Sequence, residues 1–268
     1  MILNRCNFFS KTLCNHIDVD VLIPSMPDND CVKTDLEDIY SSDKKWPVLY
    51  LLHGALDDHS CWLRHTCIER YAEEAGMAVV MPSGQNGFYT NAKYGLNYFD
   101  FVTKELPLFI RSVFNISELR EDTYIAGPSM GGYGATKCAL RCPDQYAAFA
   151  DLSGAVDPIE LEPKMIAMGF GFFRYDLIWG GVEKMRNTSD DVYHLSRSLK
   201  DSAIKPEAFI YCGLEDEANH GMNLRLYESL NENGFTASFK DGHGLHDWIY
   251  WDKCIKDFLS HIKEKRGL

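Results

Sequence analysis

The chain has 268 residues, of which 46% are hydrophobic, 25% charged and 13% aromatic. That is the length of one large α/β domain, with apolar material enough for a sizeable core without disulfide or metal staples. A formal net charge of −12 excludes the basic face that a nucleic-acid partner requires. No stretch approaches the ~18 uninterrupted apolar residues of a membrane span. The N-terminus, Met1-Ile2-Leu3-Asn4-Arg5-Cys6, lacks the basic-then-apolar pattern of a secretory signal. Nine cysteines, an odd count with no CxxC pair, read as reduced thiols, several inside apolar elements (Cys138, Cys212, Cys254). The expectation is a cytoplasmic protein.

In chain order, an extended N-terminal segment predicts an antiparallel edge or hairpin, followed by strands at 16–23 and 47–52. A helix at 66–75, a strand at 78–81 and a helix at 98–113 come next. The pattern continues with strand 123–126, helix 131–141 and strand 147–152, then strand 208–212, helix 222–233, strand 236–239 and helix 248–263. Such alternation predicts a mostly parallel sheet covered on both faces. Residues 157–206 interrupt the rhythm, spending about fifty residues on one crossover. They carry Met165, Met168, Phe170, Phe172, Phe173, Tyr175 and Trp179 among glycines. The whole chain, 1–268, reads as a single domain with a cap-like insertion at 157–206 over the active-site end of the sheet. The alternative is a pair of helices extending the core.

The sharpest local signal is Gly127-Pro128-Ser129-Met130-Gly131-Gly132, entered from Tyr124-Ile125-Ala126. Gly-x-Ser-x-Gly arises by chance in about one chain of this length in ten, given ordinary glycine and serine usage, so its context carries the weight. A strand before and a small-residue helix after make it a nucleophile elbow. There a serine sits on a strained turn with its hydroxyl exposed, and glycines remove Cβ atoms that would collide. Ser129 is the expected nucleophile. The helix start turns unpaired N–H groups toward the reacting carbonyl, so the N–H of Met130 is one expected oxyanion donor. The other is Ala55, after the buried strand that ends in His53-Gly54. His53 precedes Ser129 in the chain and reads as structural.

Chain order in this architecture is serine, acid, histidine. The strand at 208–212 ends at Gly213-Leu214-Glu215-Asp216-Glu217, which nominates Asp216, with Glu215 as rival. The last strand leads into His243-Gly244-Leu245-His246-Asp247-Trp248. His246 is the expected base and His243 the alternative; spacing leaves both open.

Together these segments resemble the esterase D-like branch of the α/β-hydrolases, which includes tributyrin-type and feruloyl esterases, S-formylglutathione hydrolases and mycolyl-transferring enzymes. The resemblance is carried by Leu51-Leu52-His53-Gly54, Gly87-Phe88-Tyr89-Thr90, Tyr94-Gly95-Leu96-Asn97-Tyr98 and Thr103-Lys104-Glu105-Leu106-Pro107. It continues through the elbow, Tyr211-Cys212-Gly213-Leu214-Glu215-Asp216 and His246-Asp247-Trp248-Ile249-Tyr250-Trp251. It runs from about residue 15 to the C-terminus and implies an α/β-hydrolase fold. The triad it implies is Ser129, Asp216 and His246, with oxyanion donors Ala55 and Met130. The family's histidine precedes an acid and a tryptophan, which favours His246 over His243. The loop Ala55-Leu56-Asp57-Asp58-His59 departs from the family, as does the lack of a glutamine-glycine-rich loop around Asp216. The second departure lowers the glutathione-thioester reading.

The implied activity is a serine carboxylesterase acting on short-chain acyl or aryl esters through an acyl-enzyme, without a cofactor or metal. The implied partner is a small-molecule ester; self-association is what relatives suggest, and no membrane or nucleic acid is expected. Alternatives are S-formylglutathione or other thioester hydrolysis, and a catalytically silent binding protein on the same fold. His59, Cys61, His65 and Cys67 have zinc-ligand types without a zinc-site spacing, and read as a turn packing near the oxyanion loop. Trp248, Tyr250 and Trp251 read as core packing rather than a carbohydrate platform.

Overall fold

A computed structural model describes residues 1–25, 35, 37, 45–171 and 173–267; Phe172 of the aromatic segment lies outside them. Eight strands form one sheet in the order β1-β2-β4-β3-β5-β6-β7-β8. These are β1 (Ile2–Ser10), β2 (Asn15–Ile23), β3 (Val48–Leu51), β4 (Ala78–Pro82), β5 (Thr123–Pro128), β6 (Ala148–Leu152), β7 (Glu207–Gly213) and β8 (Ala237–Gly242). The first two make the antiparallel hairpin expected at the N-terminus, and β2 runs antiparallel to β4; every pairing from β4 to β8 is parallel. The hairpin turn is held by the Glu105 carboxylate, which accepts from Ser10 Oγ and from the Lys11 and Thr12 N–H groups.

Central strands alternate their side chains between two cores, as period-2 geometry dictates. Val48, Tyr50, Ile125, Phe149 and Ile210 face one; Leu49, Leu51, Tyr124, Ala126, Phe209 and Tyr211 face the other. The second core is closed by α1 (Cys61–His65), α2 (Ile68–Glu74) and, from the chain's end, Trp248–Lys265. The first is closed by helices over 98–113, 130–141 and 220–232, with residues from the 157–206 segment.

The helix expected at 66–75 is present as Ile68–Glu74; a separate short helix, Cys61–His65, precedes it and ends at Thr66, whose hydroxyl donates to the Trp62 carbonyl and accepts from Ile68 N–H. The next expected helix is broken. The 98–113 stretch is α3 (Tyr98–Asp100), a π-helical turn over Phe101–Glu105, and α4 (Leu106–Val113). Pro107 has no N–H and crowds the carbonyl four residues back. That carbonyl, on Thr103, accepts instead from Gln145 Nε2 at 3.0 Å.

After β5 comes α5 (Met130–Arg141). The 157–206 segment is α6 (Pro158–Ala167), α7 (Tyr175–Trp179), a 3₁₀ turn (Val182–Met185) and α8 (Val192–Ser198). It does two things: Tyr175, Trp179, Val182, Met185, Val192 and Leu195 join the first core, while Ile166, Met168, Phe170 and Leu177 remain exposed. The last helices are α9 (His220–Glu232) and α10 (Trp248–Lys265).

Candidate active site

The strand order reverses at β3: the chain moves from β3 outward to β4, then returns to place β5 on the other side of β3. In parallel sheets such a switch point opens a crevice at the carboxyl ends of the two strands. Here the ends are His53-Gly54-Ala55 after β3 and Ser129 after β5. They meet closely, since a Cβ built on Gly54 would lie 3.8 Å from Ser129 Cβ.

Ser129 adopts φ 52°, ψ −117°, a region that side-chain-bearing residues enter only when their surroundings impose it. Its N–H donates to Leu152 O at 2.9 Å, and its carbonyl accepts from Ala155 N at 2.9 Å and Tyr133 N at 3.1 Å. Flanking glycines supply the room. A Cβ on Gly127 would sit 2.6 Å from the Gly131 carbonyl carbon, and one on Gly131 would sit 2.7 Å from His53 O. The Gly131 approach holds the end of β3 against the first turn of α5. Met130 is the first residue of that helix and fully buried, so the helix cannot satisfy its N–H.

His53 is buried and occupied on both nitrogens. Nδ1 is 2.6 Å from Gly54 O, and Nε2 accepts from Gly84 N–H at 2.7 Å. Burial lowers its pKa to about 4, so it is neutral at ordinary pH with the proton on Nδ1. Its structural reading holds, with a consequence. In a trans peptide the carbonyl and the following N–H point in opposite directions. Drawing Gly54 O toward the imidazole therefore turns the Ala55 N–H away from it. Tyr89 hydroxyl braces the same turn, donating to His53 O at 3.0 Å and accepting from His53 N–H at 2.9 Å.

The acid loop follows β7 and the histidine loop follows β8. His246 Nδ1 is 2.7 Å from Asp216 Oδ2. Asp216 is buried; burial alone raises its pKa, but hydrogen bonds from His246 and Asn219 outweigh it and hold the carboxyl below the usual aspartate range. Trp251 packs edge-on to the His246 ring, centroids 4.9 Å apart. Glu215 and His243 pair with each other instead, at 2.7 Å, with the His243 side chain 93% exposed. Glu215 also accepts from Gly244 N–H at 2.7 Å. Its partner is thus the outer part of the loop that carries His246.

Sequence reasoning did not single out Asn219, Asn223 or Asp151. Asn219 touches both Asp216 and His246. Asn223, fully buried, donates to the Gly154 and Asn219 carbonyls. Asp151, fully buried on β6 beneath Gly132 and Gly154, has its pKa raised by burial to about 7. The signal available for Asn219 was its place three residues beyond the acid.

The remaining motifs resolve as packing. His59 Nδ1 lies 2.9 Å from Ser83 Oγ, Cys61 is buried in α1, and the His65 ring stacks on Trp248. Among the described residues no three His, Cys, Asp or Glu side chains are grouped to hold a metal ion. Trp251 and Tyr250 are buried, and Trp248 packs edge-on to Trp62.

A cleft of about 690 Å³ is lined by Leu56 and Asp57, which follow Ala55, together with Tyr94, Tyr98, Phe173 and Leu177 among others. A larger depression of about 820 Å³ lies at the opposite end of the strands, lined by Tyr124, Thr236 and charged side chains, away from this chemistry.

Fold and site geometry together are those of an α/β-hydrolase. The chain belongs to the putative esterase family, whose model matches residues 25–262. It is 31% identical to an acetyl esterase of Caldicellulosiruptor saccharolyticus over 98% of this chain and 99% of that one. Two structures from Staphylococcus aureus are similar at 30% identity, each covering 98% of both chains: the fluorophosphonate-binding serine hydrolase FphF (TM-score 0.83) and the S-formylglutathione hydrolase FrmB (TM-score 0.82). The protein is a carboxylic ester hydrolase of the serine type. Among the described residues no helix is long and apolar enough to cross a membrane.

Proposed function

We propose that the protein hydrolyses short-chain acyl or aryl esters through an acyl-enzyme on Ser129. The observation that carries this reading is the 2.7 Å bond between His246 and buried Asp216, made beyond the carboxyl ends of the parallel strands, the end of the sheet at which Ser129 rides its strained turn. Ser129 Oγ attacks the ester carbonyl and His246 Nε2 takes its proton, while Asp216 holds the imidazole tautomer and faces the imidazolium. The oxyanion rests on the Ala55 and Met130 N–H groups, each worth about 3 kcal/mol of barrier. His246 returns the proton to the departing alkoxide. Water then adds to the acyl-enzyme with His246 as base, and Ser129 leaves as the free hydroxyl.

The chain acts as one domain, and the 157–206 segment is a cap-like insertion that shapes the pocket. Its support is that Phe173, Arg174, Leu177 and Ile178 line the same cleft as Leu56 and Asp57. A cytoplasmic location fits the eight described cysteines, all free thiols.

The test is Ser129→Ala, which abolishes p-nitrophenyl butyrate hydrolysis and fluorophosphonate labelling with an unchanged circular dichroism spectrum. A variant keeping a substantial fraction of wild-type turnover refutes the assignment, and a wild-type protein that does not label is a silent binder. The likeness to an S-formylglutathione hydrolase favours a second reading, in which a thioester is cleaved by the same groups. Comparing acetyl, butyryl and feruloyl esters with S-formylglutathione on the purified enzyme separates the two.

A further inference from the structure

Asn219 is the residue before α9, the N-cap position, where an asparagine side chain ordinarily accepts a hydrogen bond from the first turn of its own helix. Here it makes no such bond. The side chain turns away from the helix and is buried, 4% exposed. Its amide Nδ2 lies 3.0 Å from Asp216 Oδ1, 3.4 Å from Asp216 Oδ2 and 3.1 Å from His246 Nδ1. Its backbone N–H adds a bond to Asp216 Oδ1 at 3.3 Å. The His220 N–H at the start of the helix is instead taken by Asp216 O at 2.9 Å, and the Asn219 amide is buried against an acid–base pair.

The carboxylate is divided by these contacts. Oδ1 is held by two donors from Asn219, which leaves Oδ2 for the His246 Nδ1–H. The amide must present its NH₂ to Asp216, because the reverse orientation sets one oxygen against another. Asn219 is itself anchored: its carbonyl accepts from buried Asn223 Nδ2 at 2.9 Å, the same group that donates to Gly154 O. Gly154 precedes Ala155, whose N–H donates to Ser129 O. A continuous path thus joins the elbow to the acid and the base. The other titratable group facing Asp216 is Cys212 on its own strand, Sγ 3.8 Å from Oδ2; burial raises that thiol's pKa, which keeps it neutral.

We propose that Asn219 is a positioning residue of the hydrolytic site: it fixes the rotamer of Asp216, holds its charge by hydrogen bonding, and thereby sets the pH dependence of hydrolysis. This rests on the triad reading above. Without the amide, the carboxylate charge has one donor fewer and leans wholly on the imidazole Nδ1–H, which moves the acid limb of hydrolysis to higher pH.

The experiment measures kcat, KM and the pH dependence of kcat/KM for p-nitrophenyl butyrate in Asn219→Leu, Asn219→Asp and Asn219→Ser, with thermal melts and the low-field proton resonance of His246 Nδ1–H. Asn219→Leu is expected to lower kcat by about 10- to 100-fold, the range of a hydrogen bond to a charged group, with KM little changed and the acid limb of the profile displaced upward. Asn219→Asp sets a second carboxyl against Asp216 and displaces the limb further. Asn219→Ser is able to cap α9, so its melting temperature equals or exceeds wild type while its kcat falls. A merely structural role gives the opposite: activity tracking the folded fraction, an unmoved acid limb and an unchanged resonance. Any of these three overturns the proposal. His246→Ala is run alongside. If it stays active, the triad reading and this inference fall together; if it is dead while the Asn219 variants keep the wild-type pH profile, only the inference falls.

Discussion

Substituting Gly131 by alanine tests how the two proposed oxyanion donors are held together. The added Cβ would stand 2.7 Å from His53 O, 3.1 Å from Leu52 O and 3.2 Å from the His53 carbonyl carbon. All three are backbone atoms, so no side chain can swing aside. An ordinary contact requires 3.4 Å, and the end of β3 must retreat from α5 by about 0.7 Å to give the first of them room. The Ala55 N–H travels with the strand end and the Met130 N–H with the helix, so the donors part by a similar distance. A bond of about 2.9 Å lengthened by that amount is no longer a hydrogen bond. Losing one donor costs about 3 kcal/mol of barrier, or roughly a 100-fold fall in kcat. KM should change little, because the oxyanion exists only in the transition state. Overpacking costs about 1–3 kcal/mol of stability, so activity is measured well below the melting transition with p-nitrophenyl butyrate. Fluorophosphonate labelling of Ser129 should slow in parallel. A variant within threefold of wild-type kcat, with its fold intact, refutes the placement of the donors.

Three further outcomes follow from buried polar groups. His53→Leu removes the proton that orients the Gly54 peptide and should lower kcat about tenfold at constant KM; in a KM effect alone the orienting role fails. Because the folded protein holds the His53 pKa down at about 4, its stabilising contribution is present above the unfolded value near 6.5 and is lost as pH falls toward about 4. Asp151 has the opposite sign. Its carboxyl is raised to about 7 by burial, so its contribution is full below about 4 and is lost as pH climbs through about 7. The wild-type melting temperature should therefore decline between pH 5 and 8 more steeply than that of Asp151→Asn, and parallel curves contradict the buried acid. Lys137, fully buried on α5, donates to Phe88 O at 3.2 Å and to Thr90 Oγ1, and sits 3.3 Å from Asp190 Oδ1. Lys137→Met orphans these acceptors and should cost about 2 kcal/mol, a fall of about 4–8 °C in melting temperature. An unchanged melt would show that water replaces the ammonium.

What was legible in the sequence was local. The elbow could be read because Gly127 answers a steric demand set within five residues, the close approach of Gly131, while the demand on Gly131 comes from the distant end of β3 at Leu52 and His53. The strands could be read because burial on both faces forces unbroken apolar runs. His243 and His246 could not be parted by spacing, since both follow β8. Their difference lies in which acid of the β7 loop points inward, and the pairing of Asp216 with His246 and of Glu215 with His243 is tertiary. Lys137 and Asn219 escaped notice for the same reason. A lysine on a helix suggests a solvated face and an asparagine before one suggests a cap, and each side chain is instead buried by elements distant in the chain. The division of 157–206 between core and cleft wall was likewise invisible, because its aromatic residues fit either role.

The proposed nucleophile and its proposed proton acceptor are carried by strands of very unequal security. Ser129 follows β5, which is paired on both sides. His246 follows β8, the last strand of the sheet, bonded to β7 alone and nowhere fully buried. Fraying begins where a strand has one neighbour. On warming, the imidazole should drift from its serine while the centre of the sheet is still intact, so hydrolysis fades at a temperature where spectroscopy still reports a folded protein. Cooling restores it without a refolding lag.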